Sequence, residues 1–150
     1  MPTAITSFQG QYRFLSNFWV EEDGLTVEHR FQAAKTNDIL EKSRIMASIT
    51  PGQAKRWGRL VHLRGDWESI KIQTMEDLVR TKFQDPNLAQ ALLATGDAEL
   101  IEGNSWYDTY WGVNKFNGEG YNHLGVILMK IREELGGAGS AITNENKDTK

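Results

Sequence analysis

An acid, an amide and an amine, Glu28, Gln32 and Lys35, stand at offsets of 0, 4 and 7 within the stretch "TVEHRFQAAK". At 100° per residue the three fall within roughly a 60° arc of one helical face. A carboxylate can give or take a proton, and a lysine attacks carbon as its free amine, so the spacing suits paired acid–base and nucleophilic work. A second stripe, Val27, Phe31 and Ala34, lies about 100° round the same cylinder and is the face expected to turn toward the core. The competing reading of the triplet is a solvated face whose charges are spaced for weak helical pairing.

The elements that must carry these residues are short and mostly helical. "FQGQYRFLSNFWVEEDGLTV" reads as extended segments broken at Gly10 and at Asp23-Gly24, which predicts a small hairpin. A helix follows from about Val27 to Asn37, and a short one is expected near "EKSRIMAS". Thr50-Pro51 supplies an N-cap and first helical residue, and Asp66 is placed to cap the next helix. From Trp67 to Phe83 the positions Ile72, Met75, Val79 and Phe83 keep an amphipathic spacing, and Asp85-Pro86 opens a further helix ending near Gly96. "AELIEGNSWYDTYWGVNKFNGEGYN" reads as a loop. Asn122 is placed to cap a last helix with Leu124, Ile127, Leu128, Ile131 and Leu135 at three- and four-residue steps.

Composition bounds the function. One hundred and fifty residues, 39% apolar, suit one domain with its own core, expected over residues 1–135, with a flexible polar tail at 136–150. The absence of cysteine excludes thiol nucleophiles and thiolate metal sites. The three histidines stand far apart, no Walker or dinucleotide loop occurs, and neither metal nor cofactor is expected. No run of 18 apolar residues and no leader pattern appears, so a cytoplasmic protein without membrane contact is expected. A net charge of −3 argues against extended duplex binding by phosphate neutralisation. The stretch "KRWGRLVHLRG" nevertheless carries four Lys or Arg and no acid; it is either an ordinary basic helix face or a dock for a compact phosphate-bearing ligand.

In order along the chain, "YRFLSNF", "VEHRFQAAK", "TPGQAKRWGR", "GDWESIK", "TGDAELIE", "DTYWG" and "NHLGVILMKIREEL" resemble the NADAR family, the YbiA-like proteins, over roughly residues 8–135. The resemblance implies a mainly α fold with a small N-terminal β element, and an N-glycosidase acting on a ribose carbon joined to nitrogen. The substrates it implies are ADP-ribosylated guanine in DNA, RNA or nucleosides, or a phosphorylated ribosylamino-pyrimidine of riboflavin synthesis. The family's lysine chemistry, a Schiff base with the opened sugar, falls on Lys35, with Glu28 as its acid–base partner. A water-only route, with Lys35 purely electrostatic, is the competing mechanism.

On that reading Gln32 lies between the two catalytic groups, and Arg59, in the "GR" of "RWGR", supplies positive charge that lowers the Lys35 pKa. Ser16 and Asn17 of "LSNF" offer hydrogen bonds and Phe18 a stacking face. Asp108 accepts from ribose or base, Trp111 gives a second π face, and Gly112 allows close approach. Trp67 is either a third wall or a core residue, and Asn122 is either a ligand contact or only a cap. A non-catalytic ADP-ribose or nucleotide-binding module is the alternative of another class. The retained Glu28 and Lys35 favour the enzyme.

Overall fold

The computed structural model describes residues 3–136, and the expected tail at 136–150 lies almost wholly outside them. Helices dominate, and the strands are two-residue pairs, so the fold is mainly α with a small β element. The chain forms two compact units, one from its start to Ser16 together with Phe83 onward, the other from Asn17 to Lys82.

The second unit contains α1 (Val27–Ala33), α2 (Ile39–Met46), α3 (Pro51–Gly58) and α4 (Trp67–Lys82). Capping explains where three of these begin. The Thr26, Asp38 and Thr50 side chains accept from the backbone N–H three residues on, and Pro51 occupies the first turn of α3, where its missing N–H costs nothing. Asp66 behaves otherwise than expected: its carboxylate takes the Arg64 guanidinium at 2.6 and 3.2 Å. In α4, Met75 and Val79 are buried, while Ile72 is exposed.

α1 packs against α2, α3 and α4. It is therefore buried on more than its apolar stripe, and Glu28, His29 and Gln32 join Val27 and Phe31 inside. His29 Nε2 donates to the Ser48 carbonyl at 2.9 Å, which leaves Nδ1 to accept from Thr26 Oγ1 at 2.9 Å. One ring nitrogen thus ties α1 to the segment just after α2, and the other holds the α1 N-cap residue.

Among the described residues no hairpin precedes α1. The Asp23-Gly24 turn is present, with Gly24 at φ +85° and Glu21 N donating to Leu25 O at 2.8 Å, but no strand ladder extends from it. Arg30 fastens the turn through ion pairs to Glu21, at 3.2 Å, and Asp23.

In the first unit the segment Gly10–Leu15 is a 3-10 helix, entered through Gly10 at φ +58°. Here β1 (Ala4–Ile5) runs parallel to β2 (Glu99–Leu100), with Ala4 opposite Glu99 and Ile5 opposite Leu100. β3 (Gly103–Asn104) runs parallel to β4 (Val113–Asn114). α5 (Pro86–Leu93) starts at Asp85, whose carboxylate accepts from Asn87 N and Leu88 N. α6 (His123–Glu134) buries Leu124, Ile127, Leu128 and Ile131, and Leu135 lies beyond its end and is exposed. Among the described residues no helix is long and apolar enough to cross a membrane.

Candidate active site

Helix α1 is shorter than its sequence pattern suggests, and this changes how Lys35 is presented. The helix ends at Ala33; Ala34 remains αR, and Lys35 N closes on Gln32 O at 3.1 Å in a tightened last turn. Lys35 thus projects from the turn after the helix rather than from a third helical turn. Its carbonyl accepts from Arg64 N at 2.8 Å, which fixes the backbone from the segment following α3.

The electrostatics of Lys35 suit a nucleophilic amine. Burial pushes its pKa below the ordinary lysine value; the Glu28 charge pulls it back up, while Lys55, Arg59 and Lys71 push it down. The influence assigned to Arg59 from sequence therefore has the expected sign, but burial is the larger cause and two further lysines share the role.

Glu28 is 7% exposed, and Gln32 Nε2 donates to its Oε2 at 2.5 Å. The amide therefore holds one carboxylate oxygen at the buried face of α1. Glu28 N donates to Asn17 O at 3.1 Å, joining "LSNF" to the first turn of α1. Asn17 Nδ2 reaches Met75 Sδ at 3.4 Å. Two side-chain acceptors, Asn17 Oδ1 and Gln32 Oε1, are buried with no hydrogen-bond partner among the described residues. Such orphaned acceptors are costly in a folded chain.

Other expected contacts in this unit are placed less directly. Phe18 is half-buried, and Arg59 is the exposed C-cap of α3. Trp67 is 4% exposed and tilts against Phe31 with ring centroids 5.1 Å apart, the core position that sequence left open. The basic stretch divides in use: Arg64 pairs with Asp66, while Lys55 and Arg59 act on Lys35.

Ser16, Asp108, Trp111, Gly112 and Asn122 belong to the first unit. Ser16 closes the 3-10 helix, its N–H donating to Arg13 O. Asp108 Oδ1 accepts from Tyr110 N at 3.2 Å and Trp111 N at 2.9 Å, so that oxygen organises its own turn. Trp111 is half-exposed and packs edge-on to Tyr110, centroids 4.9 Å apart. The close approach that Gly112 permits is made by the chain itself, since a Cβ there would fall 2.1 Å from Glu102 O.

Asn122 occupies the N-cap position of α6 but makes no side-chain cap. It sits at φ +54°, its Oδ1 accepting from Glu102 N and its Nδ2 donating to Leu100 O, both at 2.9 Å. The left-handed backbone turns its amide back toward the β2–β3 segment instead of along the helix. Asn104, which sequence reading passed over, anchors both backbone groups of Asp108 through its amide, at 2.9 and 3.1 Å. Its signal was weak, a turn-type residue between Gly103 and Ser105.

A mainly helical fold that buries a hydrogen-bonded carboxylate near an amine of lowered pKa defines a candidate acid–base and nucleophile site. The chain belongs to the NADAR family: the NADAR domain profile matches residues 7–136. It is 41% identical over 138 residues to the N-glycosidase YbiA of Escherichia coli, covering 86% of this chain and 85% of that one. It is 40% identical over 131 residues to a riboflavin biosynthesis protein of Vibrio vulnificus, where 81% of this chain spans 35% of that protein. The NMR structure of E. coli YbiA superimposes with a TM-score of 0.76 at 39% identity, covering 90% of this chain and 86% of the other.

Proposed function

We propose that this protein is an N-glycosidase that removes ADP-ribose from ADP-ribosylated guanine, with Lys35 as nucleophile and Glu28 as acid–base. The enzyme class rests on membership of the NADAR family and on the N-glycosidase relatives that share most of its length. The observation that carries the mechanism is the environment of Lys35, whose amine is shifted toward its free form by burial and by three cations while a carboxylate stays near.

In the proposed reaction the Lys35 amine adds to C1′ of the ribosyl group as the C1′–N bond to guanine breaks. Glu28 delivers its proton to the departing guanine and takes back a proton from the lysine nitrogen that has become positively charged. The electron pair on that nitrogen then forms the imine as the C1′–O4′ bond breaks, and Glu28 passes the recovered proton to O4′, which opens the ribose. Water, deprotonated by Glu28, adds to that imine, and collapse returns the free amine and releases the ADP-ribose aldehyde, which recloses. Phe18 is the proposed stacking face for the base.

A second substrate, a phosphorylated ribosylamino-pyrimidine, is favoured by the Vibrio relative's assignment to riboflavin biosynthesis. The same bond breaks, and only the leaving base differs. Offering both compounds to the purified protein and identifying products by mass distinguishes them. Guanine and ADP-ribose from the first are expected; cleavage of the pyrimidine compound alone would transfer the assignment to the second, and cleavage of neither would remove the N-glycosidase reading.

A further inference from the structure

We propose that Gly58, the last residue of α3, is a positioning residue: its missing side chain makes the space in which the Gln32 amide lies against Glu28. This rests on Glu28 acting as the acid–base group. A Cβ at Gly58 would lie 1.9 Å from Gln32 Oε1, 2.7 Å from its Cδ and 3.1 Å from its Cβ. That same amide donates from Nε2 to Glu28 Oε2 at 2.5 Å, and its Oε1 is buried without a partner among the described residues.

The backbone gives no other reason for glycine at this position. Gly58 lies within a helix and does not have the positive φ seen at Gly10, Gly24 or Gly96. A helical glycine costs stability relative to alanine, because it loses more backbone freedom on folding. Gly58 is also buried, so solvent exposure does not account for it. What remains is the close approach of α1 and α3, which pack directly on one another.

An added methyl group meets chiefly the far end of a flexible side chain. Gln32 can therefore swing away while the helices stay folded, and the loss falls on the bond to Glu28 rather than on the fold. Without that donor the Glu28 carboxylate is less well stabilised as an anion. Gly58 thus acts on catalysis through two intermediaries, the amide and then the carboxylate.

The test is a double-mutant cycle of Gly58→Ala and Gln32→Ala, with Glu28→Gln as control, measured on the compound that the wild type cleaves. Gly58→Ala is expected to lower kcat on the order of 10- to 100-fold and to move the pH limb that reports Glu28 upward. Gln32→Ala should show the same loss, and the double variant should be no worse than Gln32→Ala alone because the obstacle is then gone. In the Gln32→Ala background, Gly58→Ala should leave Tm unchanged or raise it, which keeps the test decisive if Gly58→Ala alone fails to fold. Wild-type kcat and pH profile in Gly58→Ala, multiplicative losses in the double variant, or a drop in Tm in the Gln32→Ala background would each overturn the role of Gly58. Full activity in Glu28→Gln would instead overturn the catalytic reading beneath it.

Discussion

The backbone N–H of Arg64 donates to the carbonyl of Lys35 at 2.8 Å. A residue just beyond a helix end would ordinarily fray; this one is held from the following segment while its side chain remains half-buried. A fixed backbone limits the positions the amine can sample, which is what a nucleophile aimed at one carbon requires.

The covalent route makes Lys35 chemically identifiable. A hydride donor added during turnover should reduce the imine and leave the sugar fragment on Lys35, located by peptide mapping. Lys35→Ala should lose both adduct and turnover. Lys35→Arg should lose them too, because a guanidinium stays protonated and is no free-amine nucleophile. Substantial turnover in Lys35→Arg with no adduct on the wild type would falsify the Schiff base and leave a Glu28-activated water.

The charges around Lys35 predict opposite pH shifts from two substitutions. Activity that needs the free amine rises with pH through the Lys35 pKa, which burial lowers first, Glu28 raises, and Lys55, Arg59 and Lys71 lower. Arg59→Ala removes a downward push, so the rising limb of kcat/KM should move to higher pH. Because Arg59 is exposed, the shift should shrink with added salt. Glu28→Gln should move the limb the other way while cutting turnover by about 10². Shifts of equal sign in the two variants would contradict this electrostatic account.

Asn122 should be important for stability rather than for affinity. Both atoms of its amide hold the backbone of Leu100 and Glu102, and its φ of +54° suits few residue types. Asn122→Ala should destabilise by about 1–3 kcal/mol through lost hydrogen bonds and backbone strain. Asn122→Gly should recover only the strain. Thermal melts and KM measured on both variants separate the readings; a large KM change with an unchanged Tm would restore a ligand role.

What was legible from sequence was what local chemistry controls. Thr50-Pro51 and Asp85-Pro86 mark real helix starts because a cap and a fixed proline φ act within four residues. The ordered motifs also led to the family and its mainly α fold. Pairing of Ala4 with Glu99 has no local signature, and the 3-10 helix at Gly10–Leu15 looked like extended chain. The end of α1 was missed because no glycine or proline follows it. There, buried Thr36 accepts from Asp38 N at 3.0 Å and begins the next cap region. At the candidate site, residue types and spacing singled out Glu28, Gln32 and Lys35 only as candidates beside a solvated-face reading, and the burial of Glu28 and Gln32 comes from three helices packing round α1. Periodicity within one helix carries no record of such neighbours.

Lys82 yields the last prediction, and its sign differs from that of an ordinary salt-bridged lysine. The side chain is 2% exposed at the end of α4; burial lowers its pKa to about 7, against a partial upward pull from Glu21. Between about pH 7 and the unfolded-state value of about 10.4, the unfolded chain binds the proton that the folded chain has released. Stability contributed by this group is therefore lowest below pH 7 and rises with pH across the window, by at most about 1.4 kcal/mol per pH unit. Lys82→Met removes the titrating group, while Glu21 keeps its pair with Arg30 at 3.2 Å. The substitution should accordingly flatten the rise in Tm between pH 7 and 9. A slope retained in Lys82→Met would mean that the rise originates elsewhere.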